Sequence, residues 1–234
     1  MLLDILHGGS LTDILVGLAA AFFVIVSAIP VHEAAHAWAA TKLGDPTAYN
    51  HGRLTLNPTK HVDILGALMI LFVGFGYGKA VPVNMRYFKK PKRDMMLTSL
   101  AGPASNLLMA MLWRIPYNIC LNAMIKTGSE FSIIMMTFFS LACSINVGLA
   151  VFNLLPIPPL DGSRVLTMIL PSSLYFKIMR YERYIIYGLF ALLLFGVLNT
   201  ALSWLANIVA IGLFYPVDKL FLLFGGIAGG GGGL

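Results

Sequence analysis

The sequence predicts an all-α polytopic membrane protein with about five or six transmembrane segments and room for one re-entrant element. Three observations predict it. Of 234 residues, 58% are hydrophobic and only 11% are charged, where soluble domains carry about 25% charged residues. The apolar residues gather into segments long enough to cross a hydrocarbon core of ~30 Å. Lys and Arg gather in the loops between those segments, as they do on the cytoplasmic side of membrane proteins. No stretch between the segments approaches the ~50 residues of a separate soluble domain. Residues 1–224 therefore read as a single membrane-embedded domain, and 225–234 as a Gly-rich flexible tail.

The opening MLLDILHGGS has no Lys, Arg or distinct cleavage site and does not read as a cleavable signal peptide. Residues 11–43 form the first segment, ~48 Å long as a straight helix. Pro30 removes one helix hydrogen bond and predicts a kink just before His32. Residues 44–58 are polar and rich in turn formers, with a short extended piece around 52–56. Residues 64–77 are apolar but only ~21 Å long as a helix, which suits a short tilted helix or a re-entrant element; the basic loops on either side share the cytoplasm only if the segment does not cross, which favours re-entry. Residues 79–94 are basic and broken by Pro82 and Pro91, and Ala80-Val81-Pro82-Val83-Asn84 has extended character. Residues 95–123 form the next span and carry Arg114, a charge that must snorkel to an interface or find a carboxylate. Residues 131–155 form another span, ending in Asn153-Leu154-Leu155-Pro156-Ile157-Pro158-Pro159-Leu160-Asp161-Gly162. Residues 184–224 hold about two more segments, divided near Asn199-Thr200.

The net charge of +6 follows from loops at 42–60, 79–93 and 164–183. The positive-inside rule accounts for it, with contact to anionic lipid headgroups, and a nucleic-acid partner is not indicated. These loops face the cytoplasm, so the N-terminus faces outside. Cys120 and Cys143 lie in apolar segments and read as buried free thiols.

The chemistry is concentrated in His32-Glu33-Ala34-Ala35-His36. On a helix, positions four apart share a face, so His32 and His36 can hold one metal ion. Glu33 stands beside them as a base for a water molecule that the metal activates. Residues 14–31 carry no charge, so this costly group lies in a membrane span and needs a functional reason. A catalytic zinc takes three protein ligands. The third candidates are Asp161, Asp63, Asp45, His51 and His61. Asp161 is the best placed. It follows a span that returns to the side of the HExxH turn, and Pro156, Pro158 and Pro159 exclude regular helix before it. Such backbone is tolerated at membrane depth only around a wet or protein-lined cavity. The alternative is that Asp161 caps the following helix.

HEAAH within an apolar segment, followed by FNLLPIPPLDG, resembles the site-2 protease family of intramembrane zinc metalloproteases. GDPTA, GRLTLNP, AVPVN and AGPASN resemble its short bacterial members, which lack PDZ and CBS domains. The resemblance covers roughly residues 25–170. It implies one zinc per chain held by His32, His36 and Asp161, with Glu33 as base. It also implies that Asn153 stabilises the oxyanion or positions substrate, with Asn146 a second candidate for the same work. Gly102, Pro103 and Asn106 match a further family motif, read as close helix packing. The implied substrate is a transmembrane segment of a membrane protein, cut near the cytoplasmic face of a bacterial plasma membrane. The rivals are a prenyl-protein-type membrane protease, a metal transporter and an inactive scaffold. The first needs a glutamate ligand from a later helix, and only Glu130 and Glu182 remain for it.

Overall fold

The computed structural model describes residues 10–73 and 77–225. Helix α1 spans Leu11–Lys42. A reciprocal cap starts it: the Ser10 hydroxyl accepts the Asp13 N–H, and the Asp13 carboxylate accepts the Ser10 N–H. The helix continues through Pro30 without a break. Its buried face repeats every three or four residues, through Ala21, Val24, Ile25, Ala28 and Ile29 to His32, His36 and Ala40. The many alanines on that face let neighbouring helices approach closely.

Two short helices, α2 (Thr47–Asn50) and α3 (Pro58–His61), shape the polar loop that follows. Helix α4 covers Ile64–Val73 and is about 15 Å long. Asp63 starts it by accepting the Gly66 N–H at 3.0 Å. The chain leaves and re-enters at one point: Val62 pairs with Gly78 in an isolated antiparallel bridge, and the Lys79 N–H donates to the His61 carbonyl at 2.6 Å. Gly66 is pressed against the Tyr77 backbone, where a Cβ would lie 1.9 Å from its carbonyl oxygen. A segment whose ends are paired does not cross a bilayer, so the geometry supports the re-entrant reading. Residues 74–76 lie outside the described residues.

Helix α5 (Pro91–Thr127) and helix α6 (Glu130–Asn153) form a hairpin joined at Gly128, which takes the left-handed conformation (φ +61°) that ends α5. The hairpin packs on α1. One core joins α1, α4 and α6 through Val24, Ile25, Ile70, Ile145 and Leu149. A second runs through Ala110, Val147, Phe152, Leu160, Leu193 and Phe214. After the Pro-rich loop come α7 (Gly162–Ile169), α8 (Ser172–Arg180), α9 (Glu182–Leu194) and α10 (Asn199–Gly225). Gly196, at φ +74°, makes the turn between the last two.

The fold is all-α and polytopic, as the composition predicts. Among the described residues, four helices are long and apolar enough to cross a membrane: α1, α5, α6 and α10. Helix α9, with 13 residues, is about 20 Å long and falls short of the hydrocarbon thickness. Arg114 does not snorkel. Its guanidinium donates to both oxygens of Asp218 on α10, at 2.8 and 2.7 Å, and Asn118 adds a third donor at 2.8 Å. The Gly-rich tail, apart from Gly225, lies outside the described residues.

Candidate metal centre

Three elements converge on one point. The penultimate turns of α1 present His32 and His36 on one face, four residues apart. From His32 back to Leu11 the helix runs for about 32 Å, so the site lies at the far end of the span. The loop 154–161 brings Asp161 to the same place. His32 Nε2 and His36 Nε2 each lie 3.1 Å from Asp161 Oδ2, and the two nitrogens are 3.0 Å apart. These distances form a nearly equilateral triangle. Ligands about 2.0 Å from a tetrahedral zinc stand ~3.3 Å from one another, so the three atoms fit that ion with little adjustment.

The surroundings orient the three candidate ligands. His36 Nδ1–H donates to the Thr98 carbonyl at 2.8 Å, which leaves Nε2 as the lone-pair atom facing the triangle. Asp161 occupies the cap position of α7 but makes no capping hydrogen bond; its carboxylate faces the histidines instead. The arrangement is the one a metal ligand would take and not that of a helix cap. Gly162 lets the loop fold back on itself, since a Cβ there would lie 2.1 Å from the Leu154 carbonyl oxygen.

The other candidate ligands have other partners. Asp45 accepts from Thr47 and Asn84, and Asp63 caps α4. His51 Nδ1 and His61 Nε2 donate to the carbonyls of Thr47 and Thr55, each at 2.8 Å. Burial holds the His61 imidazole below its ordinary range, hence neutral. Among the described residues, His32, His36 and Asp161 form the one group that could hold a metal ion.

A cavity of about 340 Å³ opens over this group, lined also by Glu33, Asn106, Asn153, Val81, Val83 and Leu189. Glu33 is buried, and its Oε2 has no hydrogen-bond partner. Asn153 faces the cavity and gives one amide N–H to the Leu149 carbonyl at 2.9 Å, keeping the other. Asn146 is fully buried, bonds to Ala142 and does not line the cavity. Sequence reasoning missed two contacts. Gly102 packs on the imidazoles themselves: a Cβ there would lie 2.3 Å from His36 Nε2 and 2.6 Å from His32 Nε2. Gly78 likewise abuts Glu33. The small-residue motif AGPASN was the signal for the first; nothing in the sequence marked the second.

The family model of "Peptidase family M50" matches residues 118–196. The chain is 41% identical over 166 residues to "Putative zinc metalloprotease YwhC" of Bacillus subtilis, covering 68% of this chain and 73% of that protein. It is 33% and 34% identical to "Putative zinc metalloprotease Rip2" of Mycolicibacterium smegmatis and Mycobacterium tuberculosis, over 56% of this chain and 50% of theirs. The chain thus aligns with half the length of the Rip2 proteins. No solved structure matches it significantly. With a converged His–His–Asp group, four membrane-length helices and a relative matched at this identity over nearly three quarters of its length, the chain belongs to peptidase family M50, the site-2 protease family, and is a multi-pass membrane zinc metalloprotease.

Proposed function

We propose that this protease hydrolyses peptide bonds inside transmembrane segments of other membrane proteins, close to the cytoplasmic face of a bacterial plasma membrane. The observation that carries the reading is the junction of HEAAH and Asp161 at the end of a membrane span, beneath a cavity lined by both polar and apolar side chains. In this reading His32, His36 and Asp161 hold zinc, and residues 1–224 work as one membrane-embedded unit. The ion, when bound, polarises the scissile carbonyl and makes water a better nucleophile at neutral pH.

The chain's own residues supply the rest. The Glu33 carboxylate takes a proton from the attacking water as its oxygen bonds to the peptide carbon. Glu33 then returns that proton to the leaving nitrogen as the C–N bond breaks, so the carboxylate ends as it began. The free amide N–H of Asn153 is the donor best placed to meet the developing oxyanion. Thr98 keeps His36 in the tautomer whose Nε2 faces the cluster.

A helical substrate hides its carbonyls in hydrogen bonds, so it must unwind locally before it is cut. Segments with Gly, Pro or Asn near the cytoplasmic end should be cleaved faster. The test pairs one membrane peptide, with and without such residues, with the natural chain and Glu33→Gln. Glu33→Gln should keep zinc and lose turnover by about 10²–10⁴-fold. Natural-rate cleavage by Glu33→Gln, or a preference for soluble unfolded chains, would defeat the proposal.

A further inference from the structure

The loop between α1 and α4 buries three polar residues that take no part in the metal cluster: Asp45, Arg53 and His61. All three residues bond to one neighbouring segment, 78–84, Asp45 and Arg53 through their side chains and His61 through its backbone carbonyl. The Asp45 carboxylate accepts the Asn84 N–H at 2.6 Å. The His61 carbonyl accepts the Lys79 N–H at 2.6 Å. Arg53 Nη2 donates to the Lys79 carbonyl. Lys79 is thus held on both sides of its own backbone. Arg53 is buried, and its Nε has no partner. A guanidinium kept under cover at that cost calls for a reason.

The reason lies one residue upstream. Gly78 rests on Glu33: a Cβ at Gly78 would lie 2.6 Å from Glu33 Oε1 and 3.1 Å from its Cγ. Glu33 Oε2 makes no hydrogen bond that would fix the carboxylate. The 78–79 backbone is therefore a wall that limits where the carboxylate can turn. We propose that Arg53 is a positioning residue for hydrolysis: through the Lys79 carbonyl it holds the Gly78 backbone against Glu33 and keeps that base aimed at the cluster. This rests on reading Glu33 as the base. It assigns work to the GDPTA and GRLTLNP motifs, which the metal cluster leaves unused.

A residue that only braced the fold would, when removed, lower zinc content and stability along with activity. A residue that positions the base lowers kcat and leaves zinc and KM in place. The experiment uses the full chain in lipid nanodiscs and a single-span peptide substrate, with kcat, KM and zinc content measured. Arg53→Gln should lower kcat about 10–100-fold, the usual scale for a supporting residue, with zinc at the natural level and KM within about twofold. Arg53→Lys should recover part of the loss, because the ammonium keeps one donor. Gly78→Ala should reproduce the loss by crowding the same carboxylate without touching Arg53. Lys60→Gln, which removes an exposed positive charge from the same loop, should leave kcat unchanged. Natural kcat in Arg53→Gln, or zinc lost from both Arg53→Gln and Gly78→Ala, overturns the proposal. If Arg53→Gln does not fold, natural kcat in Gly78→Ala overturns it alone. Natural-rate cleavage by Glu33→Gln would instead remove the base itself, a different failure.

Discussion

His32, Glu33 and His36 were legible in the sequence because their geometry is local. One helix and a spacing of four put the two imidazoles together whatever else the chain does. Asp161 was harder. It shares its chemistry with Asp45, Asp63, His51 and His61, and residue type cannot rank them. The structure separates them by what each side chain bonds: backbone amides or carbonyls for the others, the two imidazoles for Asp161. Gly102 was read as a helix-packing residue, and it is one, but its neighbours are the two imidazole nitrogens that face Asp161. A methyl group there would occupy the space where those nitrogens converge. Gly102→Ala should weaken zinc binding about 10–100-fold and cost about 1–3 kcal/mol through overpacking. Elemental analysis of the purified variant checks this; full zinc occupancy would refute it.

At the scale of elements, the spans could be read from composition, but their partners could not. Arg114 and Asp218 are 104 positions apart, and no periodicity links them. Together with Asn118 they tie α5 to α10, and the guanidinium lies over the rings of Tyr117 and Phe214 at 4.1 and 4.8 Å. Helix α10 also packs Leu202 and Phe214 into the second core, so the tie adds a polar anchor to an apolar one. Arg114→Met strands a carboxylate in the membrane and should destabilise the protein by about 2–3 kcal/mol. Arg114→Met with Asp218→Leu should recover most of that, because neither charge is then left alone. Thermal unfolding of the natural chain, both single variants and the double variant in one detergent measures the coupling. Strictly additive losses would show that the two residues do not act as a pair.

For the whole molecule, hydrophobicity and loop charge announced a membrane protein, and the structure adds how its parts share sides. The re-entrant reading of 64–77 rested in the sequence on its length and on the basic loops 42–60 and 79–93 sharing one side; the Val62–Gly78 pairing supports it through geometry. Cysteines introduced near Lys60, Lys90 and Lys177 should all react with a membrane-impermeant thiol reagent from the cytoplasmic side. Labelling of Lys60 and Lys90 from opposite faces would make the excursion a true crossing. The paired ends of that excursion also bear on biosynthesis. If the excursion re-enters as its paired ends suggest, helix α5 starts on the side where α1 ends, and the segment between them adds nothing to the parity of crossings. On that topology the orientations of α1, α5 and α6 would not depend on the excursion, and the wall beside Glu33 would be free to assemble after the bundle is threaded.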